Sequence, residues 1–386
     1  MELSKHRNLI VLSPVHFLND LYMNFLPPVL PVILASLALT HFQAGLLVSA
    51  VGIVSAVLQP VVGHLAEARG VRKTTMVLGV LILGAGVSLF SLSQDFSLLL
   101  VTALLISLGL STYHPQGLAF LSEQYHRAKG RIIGFHGISG ALGFAIAPIF
   151  MAFVESSFGW QRVFSYAFLP ALLAAVFLSR FLTVREVRDP TRNKLVGKVG
   201  RDLVLLGISA FTIAFVFRGI IAFIPTFYVN LGESLEVSNL ILFATLIPSV
   251  VGAPIGGHIS DRFGRLKVIA LTLVPIGPLL FLFSQTPGLL GAVLLFTIGL
   301  FRALNFPVYL AHASDITGLG EGGSSIGLVF GSVFAAGAIS PSVIGYSIDI
   351  LGYQTTYQLL AMLALVSVIP VLLALRLRRS NRLTPR

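Results

Sequence analysis

Apolar runs long enough to cross a bilayer recur along this chain, each closed by a short cluster of charged, glycine or proline residues. They cover roughly 9–37, 43–66, 74–93, 97–122, 131–154 and 163–182. After a polar break come roughly 203–231, 238–260, 266–285, 288–314, 323–346 and 354–376. A helix needs about 20 apolar residues to span the hydrocarbon core, so the pattern predicts an all-α integral membrane protein with twelve transmembrane helices. The first run is not a cleaved signal peptide. It is too long, carries Asp20 and several prolines, and lacks a small-residue cleavage site.

The chain also spells one segment twice. Gly63-His64-Leu65-Ala66-Glu67-Ala68-Arg69-Gly70-Val71-Arg72-Lys73 returns as Gly257-His258-Ile259-Ser260-Asp261-Arg262-Phe263-Gly264-Arg265-Leu266-Lys267. Each copy lies between two apolar runs and is expected to form a tight charged turn. Pro31 and Pro225, Pro115 and Pro307, Ser122-Glu123 and Ser314-Asp315, and Pro148 and Pro341 recur at nearly the same offset. The halves are therefore copies of one topology, two pseudo-symmetric six-helix bundles over 1–182 and 203–386. Repeats of this kind are a signature of transporters. Between them, 183–202 is a polar linker holding Arg185, Glu186, Arg188, Asp189, Pro190, Arg192, Lys194 and Lys198.

Composition agrees with a lipid solvent: 55% of the 386 residues are hydrophobic and 11% charged. The formal charge of +11 is a topology signal rather than a nucleic-acid footprint, because the cations sit in short breaks with no interleaved aromatics. Every Lys and Arg except Arg162, Arg218 and Arg302 falls in the termini, at Arg180, or in loops 2–3, 4–5, 6–7 and 8–9. By the positive-inside rule the chain is multi-pass in the cytoplasmic (inner) membrane with both termini cytoplasmic. There is no cysteine, hence no disulfide.

Ionisable groups at mid-bilayer are costly and need a reason. Asp20 lies about 17 Å along the first helix at 1.5 Å per residue, and His16, Asn19, Asp20 and Met23 share one face. Asp20, with His114 and His16, is the candidate proton-coupling group. The competing reading is a cluster that fixes helix 1 against a neighbour. In helix 4, Ser111, His114 and Gln116 surround Pro115 and Gly117, so a kink or local unwinding is expected there. His136 is placed as structural, close to the cytoplasmic end of helix 5. Arg218 and Arg302 exceed Asp20 by one charge, which an anionic substrate would balance through the two-pronged guanidinium. Alternatively one arginine pairs with Asp20 and the other with carbonyls or water. Asn305 and Tyr309 follow Arg302 on one face, and with Asn19, Ser111 and Gln116 they complete the candidate substrate-binding groups. Helices 5 and 11 are rich in small residues, among them Gly137, Gly140 and Gly337, which close packing alone explains.

Two six-helix halves with the spacing Gly257, Asp261, Arg262, Gly264, Arg265 and Lys267 resemble the major facilitator superfamily. The first copy, Gly63, Glu67, Gly70 and Arg72, departs from the pattern at Ala68 and Val71. The resemblance implies a gating latch at the cytoplasmic helix ends, in question for the first half. His16-Phe17-Leu18-Asn19-Asp20 and His114-Pro115-Gln116-Gly117 are similar to motifs of its fosmidomycin-resistance branch. That implies a proton-driven exporter of small drugs.

No enzyme signature, ATP-binding loop, cofactor motif or metal motif is present. The leading expectation is proton-coupled efflux of a small anionic or drug-like compound, with protons and membrane lipid as the other partners and the chain acting as a monomer. Uptake of a small organic anion by symport or uniport is the alternative. A non-transporting receptor or scaffold would leave the buried charges without purpose.

Overall fold

The computed structural model describes residues 6–125, 129–183, 200–317 and 322–383. Among them the structure is helical and contains no strand. Ten helices are long and apolar enough to cross a membrane. One of these, Gly327–Leu377, turns at Gly352, where φ is 75°, and so supplies two spans. A shorter apolar helix, Phe168–Phe181, completes the expected set. Large apolar side chains such as Val57, Phe153, Leu173 and Leu271 point outward, which suits a bilayer solvent.

We label the helices α1 (Arg7–Met23), α2 (Leu26–Leu37), α3 (His41–Arg69), α4 (Arg72–Phe90), α5 (Phe96–Gln124) and α6 (Lys129–Phe158). Then come α7 (Trp160–Ser165), α8 (Phe168–Phe181), α9 (Arg201–Asn230), α10 (Leu235–Leu246), α11 (Pro248–Phe263) and α12 (Arg265–Leu273). The chain closes with α13 (Ile276–Gln285), α14 (Leu289–Thr317), α15 (Gly322–Val366) and α16 (Val368–Leu383). Proline explains several interruptions. The first span breaks between α1 and α2 just before Pro27 and Pro28, and the eighth breaks before Pro248; proline cannot donate to the preceding turn but suits the first turn of a new helix. In helix 4, α5 runs unbroken through Pro115, so of the two expected outcomes local unwinding is absent.

The described chain forms two compact units, Met1–Asn193 with Ile224–Phe243, and Lys194–Phe223 with Ala244–Arg386. Packing thus groups the end of α9 and most of α10 with the first unit, where Asn239 Nδ2 donates to the Pro28 carbonyl at 3.0 Å. Most of the 183–202 linker, from Arg185 to Lys198, lies outside the described residues. In the first unit Phe25, Phe90, Trp160 and Phe164 meet edge to face, forming a buried aromatic cluster at the end distant from Arg72.

The repeated segment is mostly helix rather than loop. Residues 63–69 are the last turns of α3, and Gly70, in the left-handed region at φ 65°, and Val71 form the turn. Gly264, at φ 92°, does the same after α11. Across the first turn Arg72 bridges two carboxylates, Glu67 at 3.0 Å and Glu123 of α5 through two hydrogen bonds of 2.6 and 3.0 Å. The second unit repeats the arrangement: Arg265 pairs with Asp261 at 2.6 Å and Asp315 at 3.2 Å. The same charged bridge is therefore present in the first half, because its arginine is Arg72 and the substitutions at Ala68 and Val71 do not touch it. Arg262 makes no ion pair among the described residues. Arg72→Lys keeps the charge but loses the fork on Glu123. It should cost on the order of 1 kcal/mol, seen as a lower thermal unfolding midpoint in detergent, with Arg262→Ala unchanged as control.

Candidate functional site

In the first unit the polar face of α1 meets α5 and α6. Asp20 sits between two imidazoles, with Oδ2 3.4 Å from His16 Nε2 and Oδ1 3.2 Å from His114 Nε2. Asn19 Nδ2 donates to Asp20 Oδ1 at 3.1 Å and also lies 3.2 Å from His114 Nε2. His16 and Asn19 are buried, and the side chains of Asp20 and His114 are only 15% and 17% exposed. Asp20 makes no ion pair with an arginine among the described residues; its charged partners are these histidines.

The sequence places His136 as structural, close to the cytoplasmic end of its helix. The structure places its ring against that of His16, with centroids 4.2 Å apart, and its backbone carbonyl 2.8 Å from His16 Nδ1. That carbonyl can only accept, so His16 carries a proton on Nδ1. Its Nε2 then faces the carboxylate as a lone pair when neutral and as a donor when charged. Two lone-pair-bearing atoms at that distance repel unless one proton lies between them, on nitrogen or on oxygen. His114 Nε2 faces a parallel choice, since it can accept from Asn19 or donate to Asp20 but not both. The geometry of the cluster is compatible with more than one arrangement of its protons. His16 Nε2, an Asp20 oxygen and His114 Nε2 also lie within 4.8 Å of one another, although a divalent ion there would have to replace both proton-mediated contacts.

Glycine on α6 makes this approach possible. A Cβ on Gly140 would lie 2.5 Å from both Asp20 Oδ2 and His16 Nε2, whereas one on Gly137 would meet nothing within 4 Å. Gly140→Ala should displace the α1 face and reduce transport severely while Gly137→Ala is tolerated. Parallel measurement of transport and of expression-corrected thermal midpoint checks this. Equal effects of the two variants would remove the argument for close approach.

Two other predicted groups serve packing. Ser111 Oγ donates to the Leu108 carbonyl of its own helix, and Gln116 Nε2 reaches the Val62 carbonyl of α3 at 3.2 Å. Tyr113, which the sequence did not single out, donates to the Leu12 carbonyl at 2.5 Å and stacks on His16.

The second unit carries the arginines. Arg302 on α14 lies 5.0 Å from the Phe306 ring centroid and 5.8 Å from that of Phe217. It has no ion pair or hydrogen bond among the described residues, and its Nε is buried without a partner. Arg218 on α9 is close enough to act on it electrostatically, and Gly337 of α15 sits beside the Arg218 side chain. Two cations thus lie near one another, and Arg302 rests against aromatic rings. Asn305 does not join them, and Tyr309, close enough to act on Arg302 electrostatically, has its hydroxyl engaged elsewhere. Asn305 Nδ2 donates to Thr272 Oγ1 at 3.0 Å, and the Tyr309 hydroxyl meets Ser209 Oγ, which in turn donates to the Ser367 carbonyl. Both tie α14 to its neighbours. Residues three or seven positions along a helix share a broad face, and a face that broad can touch two different helices.

Membrane-length helices, a charged bridge built twice and ionisable clusters inside each unit define a polytopic transporter. The Major Facilitator Superfamily profile matches residues 12–237 and 206–386. The chain belongs to the major facilitator superfamily. It is 27% identical over 380 residues to the fosmidomycin resistance protein of Escherichia coli, covering 94% of this chain and 91% of that protein. It is 31% identical over 317 residues to a multidrug resistance protein of Citrobacter koseri, covering 76% of each. Among solved structures, a bacterial homolog of the human lysosomal transporter Spinster, inward-facing and occupied, superposes with TM-score 0.82 at 16% identity over 98% of both chains. The human organic anion transporter MFSD10 gives TM-score 0.73 at 18% identity, over 95% of this chain and 99% of that one. At these identities both likenesses concern the fold.

Proposed function

We propose that this protein expels a small anionic or drug-like compound across the cytoplasmic membrane in exchange for protons, by alternating access of 1–182 and 203–386. The observation that carries the reading is Asp20 held between His16 and His114. A carboxylate so placed inside a transmembrane bundle can gain and lose a proton as its neighbours change, which is what coupling requires. The unpaired guanidinium of Arg302 beside Arg218 supports an anionic cargo. The basic residues gathered in alternate loops support cytoplasmic termini. Export agrees with the names of the fosmidomycin and multidrug resistance relatives.

The test is accumulation of fosmidomycin in inverted and right-side-out vesicles under an imposed proton gradient. An acid-inside gradient should drive uptake into inverted vesicles, and a protonophore should abolish it. Accumulation that ignores the protonophore removes the proton coupling. Accumulation driven only into right-side-out vesicles by an inward proton gradient means uptake instead.

A further inference from the structure

At the end of the first unit distant from the Arg72 bridge, α1, α6, α7 and α8 enclose a cavity of about 560 Å³. Leu21, Phe25, Met151 and Val154 line it with hydrocarbon. The Tyr22 hydroxyl, also on the wall, is already donated to the Ala167 carbonyl at 2.6 Å. Phe150, two turns inside the α6 span, lines it and is 45% exposed, so the cavity opens sideways toward what surrounds the bundle. For a membrane-spanning helix bundle, that surrounding is lipid.

One cation borders this otherwise apolar space. Arg162, on the short helix α7 between two spans, is a lining residue and is exposed. It has no ion pair or hydrogen bond among the described residues, and Glu155 at the adjoining end of α6 is not paired with it. Its position between spans puts it at headgroup depth, with the hydrocarbon slot running from there toward mid-membrane at Leu18. A soluble organic anion would satisfy the charge and leave the slot empty. A neutral lipid would fill the slot and leave the guanidinium without a counter-charge.

We infer that this cavity is a binding site for an anionic phospholipid, with one acyl chain against Leu21, Phe25, Met151 and Val154 and the phosphate on Arg162. Both halves of the interaction are ordinary: apolar burial for the chain, and a forked, charge-assisted contact for the phosphate. The site lies apart from the Asp20 cluster and does not depend on the direction of transport or its cargo.

The chain holds a single tryptophan, and it reports on this site. Trp160 is buried at 3% exposure, and its ring packs 6.1 Å from that of Phe164, a cavity-lining residue. A brominated acyl chain in the cavity should quench it. The purified full-length protein in neutral detergent is titrated with brominated phosphatidylglycerol and with phosphatidylcholine carrying the same chains. Half-quenching should need roughly fivefold less phosphatidylglycerol, the worth of about one basic side chain facing an anionic lipid. Arg162→Gln should erase that preference and Arg162→Lys keep most of it. Val154→Phe, which fills the slot, should remove quenching by both lipids. Identical curves for the two lipids, or a preference that survives Arg162→Gln, overturn the assignment. Arg162 is exposed and makes no ion pair or hydrogen bond among the described residues, so its variants fold and decide the matter whatever Val154→Phe does to stability.

Discussion

Asp20→Asn should eliminate proton-driven accumulation while leaving substrate exchange across the membrane intact. Asparagine preserves size and most hydrogen bonds but cannot gain or lose a proton, so it separates coupling from binding. In the native cluster a proton lies between Asp20 and His16 Nε2, 3.4 Å apart, while His114 Nε2 competes for the other carboxylate oxygen at 3.2 Å. With an amide at position 20 that exchange stops, although Gly140 still admits a side chain of the same shape. Counterflow and gradient-driven uptake are measured on the same vesicles. Retained accumulation against a gradient would clear Asp20 of the role and pass it to His114. Loss of counterflow as well would make Asp20 a structural group, holding α1 against α5 and α6.

The second large effect is expected at Arg302. Its guanidinium has aromatic rings beside it and makes no ion pair or hydrogen bond among the described residues. An incoming anion would therefore find a forked donor with no internal competitor, in an environment that strengthens the attraction. Arg302→Ala should weaken binding of fosmidomycin and simple phosphonates by on the order of 100-fold, and Arg302→Lys by about tenfold, since lysine keeps the charge but not the fork. Binding to the purified protein, with a lipophilic cation such as tetraphenylphosphonium for comparison, reads this directly. Preferred binding of the cation, unchanged by either substitution, would replace the anion site with a multidrug cavity.

Some of this was open to inspection in the chain alone. Helix number, the duplication and the membrane setting follow from apolar run length and repeated spacing, which need no knowledge of neighbours. Asp20 and His16 belong to one face because four residues make about one helical turn. Even the partners of the charged bridge were visible in outline, since Glu123 and Asp315 recur at nearly the offset that relates Arg72 to Arg265. Their role was not, because nothing in the spacing says that an arginine on one helix reaches a carboxylate about fifty residues later.

Other features were settled only when the helices packed. His136 stacks on His16 across 120 positions, and only the docking of α6 onto α1, allowed by Gly140, brings the rings together. Asn305 and Tyr309 share a sequence face with Arg302 but turn to Thr272 and Ser209. Pro115, which promised an opened helix, lies in an unbroken one. Periodicity along a helix assigns each side chain an angle about its own axis. Which neighbour stands at that angle is set by helix crossing and by the small residues that let two backbones approach. Sequence by itself therefore determined the spans, the repeat and the ionisable groups inside them, while the tertiary structure alone decided which of those groups meet.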